Sequence, residues 1–238
     1  MTISAAQDTP TGPSAVCFDR PAAVTRSLLG YGPLAGAVYL TSGVVQGLTR
    51  DGFDLTRHSL SLLANGPLGW VHVTTLLGSG LMTVAAAVGV RRALRGGRGG
   101  SWGPGLLAGY GGALVAAGVF VADPMDGFPV GTPAGPPAEV TVSGLAHLAA
   151  GGIGFACLVA ATFVLGRRFA AESRRGWAAW SRVTGLLVLA GFAGVASGST
   201  SSLAVLGLWT GVVAGWAWLA AVCVHLYRRT PHPARPRD

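Results

Sequence analysis

The sequence predicts an all-α integral membrane protein, a six-transmembrane-helix bundle with both termini in the cytoplasm. Three observations carry this prediction. Half of the 238 residues are hydrophobic and only 11% are charged, against roughly a quarter charged in ordinary soluble domains. Six apolar runs recur, at residues 27–48, 68–90, 103–121, 141–165, 183–197 and 203–227. All 17 basic residues are arginines, and all but Arg50 and Arg57 fall in tails and loops on one side of those runs.

Residues 1–26 are polar and rich in small side chains, which predicts a disordered tail. The first run is longer than the roughly 7–15 apolar residues of a secretory leader and lies far from Met1, so it reads as an uncleaved span. A run of this length matches a hydrocarbon core about 30 Å thick at about 1.5 Å per helical residue. Backbone groups in hydrocarbon must bond within the segment, which favours helices, and barrel strands would be about 10 residues long and alternate in polarity. Arg91, Arg92, Arg95 and Arg98 join the second and third runs, and Arg167, Arg168, Arg174, Arg175 and Arg182 join the fourth and fifth. Residues 27–229 therefore form one membrane domain, and residues 230–238 a short basic tail. The arginine asymmetry puts both tails in the cytoplasm and the loops at 49–67 and 122–140 outside.

Thirty-eight glycines and an absence of lysine suit a GC-rich genome, so a bacterial plasma membrane is the expected location. The net charge of +8 does not point to nucleic acid, because the arginines sit in short groups between spans and not along one face of a soluble fold. Cys17, Cys157 and Cys223 are far apart and form no CxxC or zinc spacing, so they read as unpaired. Small residues recur every four positions at Gly105, Gly109, Ala113 and Ala117, at Ala146, Ala150 and Gly154, at Ala190, Gly194 and Gly198, and at Gly207, Gly211 and Gly215. Such stripes allow close helix contact, within one chain or between copies of an oligomer.

The candidate chemistry collects on the outer side. Residues 120–133, FVADPMDGFPVGTP, end the third run with prolines, glycines and two carboxylates and predict an irregular loop. Asp123 and His147 are the first candidate catalytic pair, with His58 and Arg57 as further candidates. Asp123, His147, His58 and His72 together could bind a divalent metal, or the imidazoles could do acid–base work on a lipid or isoprenoid-like amphiphile. The bland reading is that these groups satisfy backbone and headgroups near the interface. That reading is preferred for His225 as an interfacial anchor, and for Trp209, Trp216 and Trp218 as packing or lipid-facing residues. No nucleophile-elbow, zincin, phosphate-loop or dinucleotide signature is present.

Residues 57–70, RHSLSLLANGPLGW, the loop at 120–133 and the following His147 resemble the bacterial and archaeal family catalogued as domain of unknown function 998. The resemblance falls on Arg57, His58, Ser59, Ser61, Gly69, Trp70, Phe120, Asp123, Pro124, Gly127, Pro129, Gly131 and His147, and it covers roughly residues 27–229. It implies about six spans and an aspartate–proline loop after the third, and it brings no established activity. Three classes of function remain open: a membrane enzyme using Asp123 and His147, a structural or partner-binding protein, and a small-molecule transporter. The spans hold few polar groups near their middles, which argues against transport.

Overall fold

A computed structural model describes residues 17–97, 99–199 and 201–235. The first part of the expected tail, residues 1–16, lies outside the described residues, as do Arg98, Thr200 and residues 236–238. The fold is six α-helices: α1 (Arg20–Thr49), α2 (Gly69–Leu94), α3 (Trp102–Val119), α4 (Val142–Ala171), α5 (Arg175–Ala196) and α6 (Ser202–Arg229). Each packs antiparallel on the next, and α6 returns to α1, closing a ring. The tails meet beneath it, where β1 (Cys17–Phe18) pairs antiparallel with β2 (Ala234–Arg235).

Among the described residues, five helices are long and apolar enough to cross a membrane, and α3, at 18 residues, is long enough but less apolar. Large aliphatic side chains such as Leu34, Val45, Leu81, Val88, Ile153, Leu186 and Val213 stay exposed around the circumference. Contiguous apolar surface of that kind is not tolerated in water. The molecule is a multi-pass membrane protein.

The helix ends follow from local chemistry. Helix α1 begins at Arg20, ahead of the expected start at Ser27, because the Asp19 carboxylate accepts from Ala22 N at 3.0 Å and Pro21 occupies the first turn. Thr141 caps α4 by accepting from Gly144 N at 2.9 Å, and Ser201 caps α6. Arg95 (φ 41°), Gly96 (φ 82°) and Gly97 (φ 75°) turn left-handed after α2.

Inside the ring, glycines set the helix spacing. Gly80 and Gly111 face each other where α2 crosses α3, and an added Cβ on either would lie 2.6–2.7 Å from the other's carbonyl oxygen. The stripe at Gly207, Gly211 and Gly215 faces α5 and α4 of the same chain, not an outer surface. The third-run stripe is used only in part: Gly109 meets Cys157 and Ala113 meets Gly154, while Gly105 has open space. Cys157 and Cys223 are both free thiols. The centre is filled by Trp216, whose ring lies 5.2 Å from Tyr39 and 5.7 Å from Tyr110.

The spans carry more buried polarity than their composition suggests. His72, Thr75, Ser79 and Thr83 line the buried face of α2. The hydroxyls are satisfied close by: Thr83 Oγ1 donates to Ser79 O at 2.7 Å, Ser79 Oγ to Ala35 O at 3.4 Å, and Thr75 Oγ1 bonds Ser42 Oγ at 2.7 Å. The Ser79 and Thr75 bonds join α2 to α1, and the Thr83 bond stays within α2.

Candidate functional site

The ring has two unlike ends. At one end the described arginines other than Arg50 and Arg57 gather with both tails. At the other, the two longer loops fold over the helices as a roof. The first loop carries a 3-10 turn at Leu60–Ala64, and the loop after α3 is irregular throughout, as its prolines and glycines require.

Arg50, directly after α1, is the post of the roof. Its guanidinium donates to Leu63 O and to Asn65 O, both at 2.5 Å, and its Cζ lies 4.9 Å from the centre of the Phe128 ring. Burial lowers the Arg50 pKa from its ordinary value. Two charged hydrogen bonds and an aromatic face offset that cost. Phe128 is buried between Phe53, at 5.0 Å edge-on, and His58, at 5.7 Å. Asn65 Nδ2 donates across to Ala122 O at 3.1 Å. Sequence reasoning treated Arg50 only as a vote on orientation. The signal it missed was the pair of phenylalanines, Phe53 and Phe128, placed in otherwise polar loops.

His58 serves this roof. Its Nδ1 accepts from Asp54 N at 2.9 Å, so Nε2 carries the proton and donates to Asp126 O at 3.0 Å. Asp54 itself accepts from Thr56 N and Thr56 Oγ1, which hold its carboxyl below the usual range. Arg57 is exposed and lies outside the cavity wall described next.

Beneath the roof is a cavity of about 420 Å³, walled by α3, α4, α5 and α6, with Tyr39 and Leu76 at its back. Its wall is apolar apart from a few groups: Ser59 and Ser61 from the roof, Asp123, His147, Tyr39 and Trp209. Leu145 and Leu148 belong to this wall and are also more than half exposed. The cavity thus reaches the lipid-facing side of α4.

Asp123 and His147 share this wall, and each bonds to a different partner. Asp123 follows the end of α3 and turns to α4, where its oxygens accept from Thr141 N at 3.0 Å and Thr141 Oγ1 at 2.6 Å. It lies against the first turn so closely that a Cβ on Gly144 would sit 2.0 Å from Oδ2. One turn further along, His147 Nδ1 is 3.0 Å from Ala117 O and 2.8 Å from Phe120 O. Both partners are carbonyls, so Nδ1 carries the proton and Nε2 is the acceptor of the neutral ring. The last carbonyls of α3 thus fix the tautomer of His147.

His72 stands one layer behind. It is fully buried, edge-on to Tyr39 at 6.1 Å, and neither ring nitrogen has a partner among the described residues. The indole nitrogens of Trp209 and Trp216 are likewise buried and unpartnered. No group of three or more His, Cys, Asp or Glu that could hold a metal occurs among the described residues. The four sequence-predicted ligands are thus divided: Asp123 and His147 on the wall, His58 in the roof, His72 behind Tyr39.

Fold and site together define a multi-pass helical membrane protein with a roofed apolar cavity. Residues 33–225 match the family described as Protein of unknown function (DUF998), and the chain belongs to that family. No curated protein and no solved structure matches it.

Proposed function

We propose that the roofed cavity is an outward-facing site for a lipid or other amphiphilic small molecule. The polar head sits at Asp123 and His147, and the apolar part lies between α4, α5 and α6. The observation that carries this reading is the wall itself, in which one carboxylate and one imidazole stand on an otherwise largely apolar surface open towards lipid. The volume falls in the range of about 300–1,000 Å³ usual for small-molecule sites.

The head must decide affinity. A tail arriving from a bilayer exchanges one apolar surrounding for another, so its burial gains little of the roughly 0.8 kcal/mol per methylene available from water. Hydrogen bonds made away from water are the selective term. His147 contributes an acceptor at Nε2 with its ring already oriented, and Asp123 has lone pairs beyond the two spent on Thr141. A hydroxyl or protonated headgroup fits both. The same Nε2 is placed to take a proton from such a head, which would make the site an acid–base enzyme.

The reading uses six spans, including α3, in a bacterial inner membrane with both termini cytoplasmic. Helix α3 packs between α2 and α4. Its 18 residues span about 27 Å at 1.5 Å each. The arginines at the opposite end from the roof support this orientation.

Gly151 offers the test. It lines the cavity, and a Cβ there meets nothing within 4 Å. Wild type and Gly151→Phe are purified in mild detergent and examined by native mass spectrometry. An amphiphile retained by wild type and lost from a variant of unchanged melting temperature is expected. Equal retention by both would remove the cavity from consideration and leave Asp123 and His147 as helix caps.

A further inference from the structure

A second cavity, of about 410 Å³, opens at the arginine end of the ring. Its wall carries Arg92 and Arg95 from the end of α2, Arg168 and Glu172 from α4, and His225 and Arg229 from α6. Two of these arginines are built into the fold. Arg92 Nε donates to Thr25 Oγ1 at 3.0 Å, and Arg168 donates from NH1 to Gly96 O at 2.8 Å and from Nε to Glu172 Oε1 at 2.9 Å. Among the described residues Glu172 is the only carboxylate on the wall, and it is already shared, with Arg174 Nε at 3.5 Å and Arg229 NH1 at 3.9 Å from its second oxygen.

The ordinary explanation for arginines here is that they balance helix dipoles, since α2, α4 and α6 all end at this mouth. Each C-terminus amounts to roughly half a negative charge. Three of them and Glu172 still leave the four wall arginines with a surplus of roughly one and a half positive charges. Arg95 has no hydrogen bond or ion pair among the described residues, and its backbone is held left-handed at φ 41°. The dipoles therefore do not exhaust the charge.

We propose that this cavity binds a phosphate group, with guanidinium donors converging from α2, α4 and α6. A tetrahedral phosphate presents oxygens in several directions, which suits donors from three helices, whereas one carboxylate is saturated by a single guanidinium fork. The phosphate can belong to the headgroup of an anionic phospholipid or to a free phosphorylated metabolite, and binding does not depend on the occupant of the roofed cavity.

Arg95 and Arg229 are the residues to change, because Arg92 ties α2 to α1 and Arg168 holds the loop after α2. Full-length protein in neutral detergent is titrated with pyrophosphate, with short-chain phosphatidylglycerol and with short-chain phosphatidylcholine, reading thermal shift and native mass spectra. Phosphatidylglycerol should bind, and Arg95→Gln/Arg229→Gln should weaken it at least about tenfold. Arg57→Gln, at the other end, should leave it unchanged. If pyrophosphate binds as well, the group recognised is phosphate itself; if it does not, the source is the lipid headgroup. Arg95→Gln alone, at an exposed and unpartnered side chain, should weaken binding at least about threefold and covers the case in which the double variant does not fold. Binding of neither anion, equal binding of phosphatidylcholine, or titrations unmoved by these variants would overturn the proposal.

Discussion

At the scale of single residues, the site is made by groups that cap something else. His147 closes α3, Asp123 opens α4, and Arg50 ends α1 while gripping the 3-10 turn. Their positions are therefore fixed by backbone geometry. Arg50 makes the clearest prediction, because its fork spans two carbonyls two residues apart. Lysine keeps the charge but cannot reach both, so Arg50→Lys should lose about 1–3 kcal/mol, the worth of one charged hydrogen bond and a buried carbonyl left unpaired. Arg57→Lys, exposed and outside the wall, should be silent. Thermal unfolding of both variants in one detergent checks the contrast. A deletion at the cavity should behave differently again: His147→Ala should lower stability by about 0.5–1.5 kcal/mol through the lost α3 cap, and should also abolish amphiphile retention.

At the scale of elements, glycine decides how closely helices approach. Lipid tails are as apolar as side chains, so association rests on contact and hydrogen bonding more than on transfer from water. A Cβ on Gly211 would lie 3.0 Å from both Leu187 O and Val188 Cα, atoms of the α5 backbone that cannot swing aside. Gly211→Leu should therefore cost about 1–3 kcal/mol by overpacking. Gly105→Leu, pointing into open space, should cost nothing measurable. Equal melting temperatures for the two variants would mean that the glycines reflect composition alone. The α6 stripe was legible from its spacing, but which of several similar stripes faces a helix was not. Gly105 and Gly109 lie four residues apart and differ completely in surroundings, because the orientation of α3 is set by its neighbours. The Gly80–Gly111 crossing was missed for the same reason: each glycine alone is unremarkable in a glycine-rich chain.

At the scale of the molecule, helix number, order and the irregular loop after α3 could be read from hydropathy and from proline and glycine, since both act locally. The roof could not. It depends on Arg50, His58 and Phe128 meeting across loops some seventy residues apart, and no local pattern encodes that meeting. The orientation proposed for the bundle has its own check, in a background lacking Cys17, Cys157 and Cys223. Ala134→Cys should react with an impermeant maleimide added to intact cells, and Ala171→Cys should react only after lysis; the reverse pattern would invert the protein. The central claim, that an amphiphile occupies the roofed cavity, is tested most directly by photolabelling in membranes with a diazirine-bearing alkyl or isoprenyl alcohol, followed by peptide mapping. The account predicts saturable labelling around Phe155, Phe192 and Leu208, competed by unlabelled alcohol and reduced in Gly151→Phe. Unsaturable labelling spread over the outer faces at Leu81, Val88 and Val213, with none at the cavity wall, would contradict it.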